Sequence, residues 1–183
     1  MQSENLTQAL IETAQKVLNQ VEELKNEDIY TLTWKENQNS WSILECLEHL
    51  NLYGDYYLPE IEKSIKLNGS KNEKEFKSGI LGNYFAKSML PKGKLNRMKT
   101  FRDKNPLNAK LDKTVIDRFI NQQMTLIELL NKSRQVSLNE VKIKISIARL
   151  IKLKLGDTFQ FVINHHLRHL KQIESIQLKI KNS

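Results

Sequence analysis

Apolar residues recur at three- and four-residue steps in four long stretches of this chain, and that period constrains the fold more than any other feature. In the first stretch, Ser3 to Lys25, the residues Leu6, Leu10, Ala14, Val17, Val21 and Leu24 fall on one helical face. The second starts at Ser42, where Ser42-Ile43-Leu44-Glu45 has capping-box spacing: the serine oxygen accepts the Glu45 N–H and the glutamate reaches back. Trp41, just outside, is placed to staple onto Cys46. This helix continues towards Lys66 with Pro59 inside it, so a kink or a break is expected before the proline. The third spans Leu111 to Lys132, with Val115, Phe119, Gln122, Leu126 and Leu130 on a face that Ile116, Ile120, Ile127 and Leu129 widen. The fourth starts near Asp157, read as its N-cap with Gln160 three residues on. It runs to Lys179 through Phe161, Val162, Ile163, Leu167, Leu170, Ile173 and Ile176.

Four such helices predict an all-α four-helix bundle, and 183 residues suit one domain, 1–183, with a proper core. Roughly forty residues separate helices two and three, far above the usual connection. A link that long can run the height of the bundle and leave those two helices parallel. Short helical structure is expected within it, near Ile80 to Met89. The segment Val141-Lys142-Ile143-Lys144-Ile145-Ser146-Ile147 alternates with period two, as a strand does. With no strand to pair with, it is read as an extended linker packing one face on the bundle.

Hydrophobic residues make up 39% of the chain and charged residues 27%, which suits a folded, soluble chain rather than a disordered one. The start, Met1-Gln2-Ser3-Glu4-Asn5, lacks the pattern of a signal peptide, and no apolar run approaches a membrane span. A lone cysteine, Cys46, cannot form an internal disulfide, so a cytoplasmic setting without membrane association is expected. The net charge of +8 and the pI of about 9.5 raise a nucleic-acid reading. However, the densest basic stretch, Lys87 to Lys113, carries only Phe101 near its centre for stacking on bases. A solvated lysine-rich surface is therefore expected instead.

The chain has four histidines: His49, His165, His166 and His169. His165 and His169 are four residues apart, on one helical face and about 6 Å apart along the axis, so both imidazoles can reach one divalent cation. The His-x-x-x-His spacing is that of the zincins, but His166, Leu167 and Arg168 supply no intervening general base. His165 and His169 share a stripe with Val162, Ile173 and Ile176, whereas His166 falls beside it with Phe159, Ile163 and Leu170. His49 lies on a stripe with Cys46, Tyr53 and Tyr56 that faces the core. Two readings stand here: hydrogen-bonded histidines at a core edge, or three neutral ligands of one ion. Cys46 is read as a small core residue, with a fourth ligand as the alternative. Gln172, one turn beyond His169, either orients an imidazole or is solvated. Arg168 is expected to pair with a surface carboxylate rather than with an acidic cosubstrate. Tyr53, Tyr56 and Tyr57 are read as core, with pocket lining as the alternative.

Several segments resemble the DinB superfamily of bacterial metal-binding helical bundles. Trp41 to Leu50 is similar to its tryptophan-serine helix start followed by a histidine. Met98-Lys99-Thr100-Phe101 with Asn105-Pro106 resembles a segment before its third helix, and Leu155-Gly156-Asp157 leads into the last. His165-His166-Leu167-Arg168-His169-Leu170-Lys171-Gln172-Ile173 resembles its His-x-x-Arg-His-x-x-Gln-Ile signature. The resemblance implies up-down-down-up topology, metal ligands at His49, His165 and His169, and homodimers. It also implies transfer of a low-molecular-weight thiol, isomerisation with such a thiol, or metal-dependent hydrolysis of a small molecule, with a non-catalytic metal-binding or interaction bundle as the alternative. Three neutral imidazoles leave a divalent ion, zinc or nickel, with an open coordination position. No base is evident on the histidine stripe, which tilts the expectation towards metal-activated thiol transfer to an electrophile.

Overall fold

In the computed structural model, residues 1–91, 98–146 and 148–182 are described, the side chains of 148 and 149 excepted. Among these residues the chain is mostly helical, with six helices and one two-stranded sheet. The order is α1 (Ser3–Glu23), α2 (Ile29–Thr33), α3 (Ile43–Leu67), α4 (Ile80–Met89), α5 (Thr114–Ser133), β1 (Lys142–Ile145), β2 (Ala148–Lys154) and α6 (Leu155–Lys181). Short 3-10 turns follow α1, at Leu24–Asn26, and precede α5, at Arg102–Lys104. No helix among the described residues is long and apolar enough to cross a membrane.

The four long helices are where the periodicity puts them. α1 and α3 each pack on both α5 and α6, and α4 lies on α6. Apolar side chains fill two neighbouring clusters. One is built around Tyr57, Ile61, Leu126 and Phe159, the other around Leu47, Leu50, Ile116 and Phe119. Each such side chain removed from water contributes about 1.5–3 kcal/mol.

The start of α3 is fixed by the expected capping box. Ser42 Oγ accepts the Glu45 N–H at 3.2 Å, and Glu45 Oε2 accepts the Ser42 N–H at 2.8 Å. The helix does not break at Pro59 but continues to Leu67. Pro59 is exposed, so water can satisfy the carbonyl that loses its N–H partner one turn earlier.

Four expectations are corrected. First, the alternating segment has a partner after all. β1 pairs antiparallel with β2 in the register Lys142↔Lys154, Ile143↔Leu153 and Lys144↔Lys152, so the fold is not purely α. Ile143, Ile145 and Leu153 are buried, while Lys144 and Lys152 face solvent opposite each other. Ile147 lies outside the described residues. Second, α6 begins at Leu155, with Lys154 at the N-cap and Asp157 inside the first turn. The buried Asp157 carboxylate instead accepts from Ser78 Oγ and from the Gly79 N–H, and so holds the start of α4 against α6. Third, the third long helix starts at Thr114 rather than Leu111, after Asp112 accepts the Thr114 N–H. Fourth, a short α2 was not expected; Asp28 caps it by accepting the Thr31 N–H at 2.9 Å. The expected helix at Ile80–Met89 is present as α4.

Candidate metal centre

Packing of α3 against α6 brings the two histidine stripes face to face. His165 Nε2 lies 3.2 Å from His49 Nε2 and 3.1 Å from His169 Nε2. One ligand nitrogen from each ring falls within 4.8 Å of the others, and all three residues are buried. His166 does not join them. It points against Phe119 of α5, with ring centroids 5.2 Å apart, and its Nδ1 is buried without a hydrogen-bond partner. Cys46 is wholly buried in the apolar cluster, where burial pushes its thiol far above the ordinary range. It is a core residue and not one of the converging ligands.

The outer nitrogens decide what the inner ones can do. His49 Nδ1–H donates to the Lys104 carbonyl at 2.6 Å. A carbonyl only accepts, so the proton sits on Nδ1 and the His49 Nε2 presents a lone pair. His169 Nδ1–H donates to Gln172 Oε1 at 3.0 Å, which sets the same tautomer there. Two lone pairs therefore face His165 Nε2, and one proton on that nitrogen could bridge to only one of them. A cation satisfies all three at once. Nitrogens held tetrahedrally by zinc at about 2.0–2.1 Å lie about 3.3 Å apart, close to the two spacings measured from His165 Nε2.

The rings are kept neutral. Burial pushes the His49 imidazole down to about 4, against a smaller upward pull from the Lys104 carbonyl. Burial first, and proximity of the other imidazoles second, hold His165 and His169 well below the ordinary histidine range. Neutral imidazole is the ligand form, so protons compete weakly with a metal here.

Around the nitrogens stands an aromatic wall. The Trp41 ring stacks on His169 at 5.8 Å and tilts onto His49 at 4.7 Å. Tyr53 meets His49 and His165 edge-on at 5.0 and 4.8 Å. Trp41 also packs on the cluster that contains Cys46, as a staple would, but its larger role is this cover. The segment carrying the Lys104 carbonyl is pinned to α3. Lys104 Nζ donates to the Leu52 carbonyl at 3.0 Å, and the Asn108 N–H donates to Glu45 Oε1 at 2.5 Å. Asn108 adopts φ 63°, a left-handed conformation that asparagine tolerates.

A cavity of about 790 Å³ opens onto the histidines. Tyr53 and Tyr57 line it, while Tyr56 packs on the core beside it. Arg168, expected at the surface, is instead buried and lines the cavity. The one carboxylate among the described lining residues is Glu36, which is ion-paired with Lys179. Of the basic stretch, Lys99 lines the cavity, whereas Lys92, Lys94 and Arg97 lie outside the described residues. No local sequence signal marks the Lys104 carbonyl as a partner of His49, because a backbone acceptor carries no residue signature.

A mostly helical chain whose last helix and α3 aim three buried imidazoles at one point, beside an open cavity, defines a candidate metal-binding helical protein. The DinB superfamily model matches residues 9–173, most of the chain, and the chain belongs to that superfamily. No curated protein and no solved structure compared with the chain matches it significantly.

Proposed function

We propose that the protein is a divalent-metal-dependent enzyme that activates a low-molecular-weight thiol for transfer to an electrophilic small molecule. In this reading α1, α3, α5 and α6 form a four-helix bundle of up-down-down-up topology, and His49, His165 and His169 are the metal ligands. The observation that carries it is the convergence of three neutral imidazole nitrogens on one point at the edge of the cavity. Zinc or nickel, both suited to imidazole, would supply the charge that holds a thiol sulfur as thiolate at neutral pH.

The chain's own residues do the rest. The Lys104 carbonyl and Gln172 hold the tautomers of His49 and His169, so both nitrogens stay available as lone pairs. Trp41 and Tyr53 cover the rings and keep water from their outer faces. Lys99 offers positive charge to the acidic groups that small cellular thiols carry. Hydrolysis is the second reading, and it is favoured less. It calls for a group that positions and deprotonates water, and among the described residues the one lining carboxylate, Glu36, is already paired with Lys179.

The test starts with metal analysis of tag-free protein, wild type beside His49→Ala and His169→Ala. Wild type should retain about one equivalent and both variants should lose it; equal content in all three would refute the site. Metal-loaded protein is then given cysteine or glutathione with an aryl halide. Thiol consumption above the uncatalysed rate supports transfer. Consumption at background, with ester hydrolysis present, would move the reading to hydrolase.

A further inference from the structure

The cavity is not uniform along its length, and α6 provides the scale. Phe161, His165, His169, Gln172, Ser175 and Lys179 all line it and succeed one another at helical spacing. From Phe161 to Lys179 is eighteen residues, about 27 Å of helix. The histidines sit between two chemically different ends.

One end is apolar and deep. Phe161 packs on Tyr57 with centroids 5.7 Å apart, and Ile145 and Leu153 of the hairpin close the bottom. All four are buried, and Phe85 and Met89 of α4 complete the wall. Tyr57 leans its hydroxyl away, towards Ser146 at 3.5 Å. The other end is open and more polar, with Ile176 as a buried apolar member. Lys179 is ion-paired with Glu36, which places the 36–40 loop at the C-terminal half of α6. Asn37, Asn39 and Ser175 line this end and are exposed. Ser40 Oγ donates to the Asn37 carbonyl at 2.7 Å and accepts the Asn37 N–H at 2.9 Å, so the loop is a formed turn.

We infer that the cavity is a two-ended, two-substrate site: the deep end takes an electrophile with an apolar alkyl or aryl body, and the polar mouth takes the hydrophilic body of the thiol. This rests on the thiol-transfer reading and adds the class and orientation of each substrate. The thiol sulfur reaches the histidines from the mouth and the electrophilic carbon from the opposite side. Its S–H proton goes to solvent, and the sulfur lone pair forms the S–C bond. The bond from carbon to the leaving group breaks, and that group, a halide in the test below, departs with the electron pair. The deep end recognises its ligand by burial alone, so affinity there tracks apolar surface.

The test uses zinc-loaded wild-type protein and needs no variant to begin. Unreactive alkylbenzenes, from toluene to hexylbenzene, are titrated against the fluorescence of Trp34 and Trp41, which line the cavity. Affinity is expected to rise about three- to fourfold per added methylene until the end is full. The same slope is expected in kcat/KM for a series of alkyl bromides with cysteine as thiol. Phe85→Asn and Met89→Asn, at half-buried positions, should flatten both slopes. Ser175→Leu should instead raise KM for cysteine. Thiol consumption with no dependence on alkyl length overturns this inference while the proposed function stands. Steep alkylbenzene binding without any thiol consumption overturns the proposed function and leaves the apolar end established.

Discussion

The depressed basicity of the three histidines makes a quantitative prediction about metal binding and pH. Consider zinc affinity measured at pH 7.5 and again at pH 5.5. At pH 5.5 an ordinary imidazole with a pKa near 6.5 is about nine-tenths protonated, so each such ligand weakens binding about tenfold and three weaken it about a thousandfold. His49 is held down to about 4 by burial. At pH 5.5 only about 3% of it carries the extra proton, and its contribution to the loss is negligible. His165 and His169 are also held well below the ordinary histidine range, by burial first and by neighbouring imidazoles second. The affinity should therefore change by less than about threefold across that interval. Competition against a chelator whose own proton affinities are known, with free zinc buffered at each pH, reads the change directly. A loss above about thirtyfold would refute the reasoning. It would mean that the rings titrate as exposed histidines do and that burial does not keep them neutral.

Four further outcomes are expected. Metal-free protein should lose stability as the pH falls from 7.5 to 5.5. His49 and His166, lowered to about 4 and about 3, stay neutral when folded while the unfolded chain binds protons below pH 6.5. Full stability thus lies above that pH and declines towards the folded values, by about 3 kcal/mol at pH 5.5 for these two alone. Denaturant unfolding in chelator measures it, and a drop under about 1 kcal/mol would contradict the burial argument. Gln172→Ala should weaken zinc binding about tenfold or more by freeing His169 Nδ1, and Gln172→Glu, which still accepts that proton, should restore most of it. Gly82→Ala should cost about 1–3 kcal/mol in thermal or chemical unfolding, because a Cβ there would overlap the Asp157 carboxylate. Lys152→Glu should raise stability by about 0.5 kcal/mol, by replacing a like-charged pair opposite Lys144 with an attractive one.

How much of this could be read from the sequence depends on whether the information is local. The long helices are legible because their apolar period is carried by many residues, and Ser42 and Glu45 mark the start of α3 within four positions. The histidine set is legible because His165 and His169 share a stripe with Val162, Ile173 and Ile176 while His166 falls beside it, and the structure sends His166 towards Phe119. Asp157 shows the opposite case. It has the residue type and place of an N-cap, but its carboxylate serves the start of α4, seventy-eight residues earlier. The partner of β1 was hidden because β2 runs directly into α6, so its Ile151-Lys152-Leu153-Lys154 alternation ends where helical periodicity begins. An arginine usually lies at the surface, so residue type alone does not point Arg168 to the cavity; the packing of α6 does.

His49 and His165 are separated by 116 residues of chain. During synthesis, a chain that has completed α3 carries a single imidazole of the three, with neither of its partners yet made. The acceptor for its Nδ1 proton is the carbonyl of residue 104, which is also made before His165 and His169. The three imidazoles meet only when α6 lies down on α3, so their cluster belongs to the later contacts of the fold. An ion that needs all three nitrogens could not seed the steps of folding that precede α6.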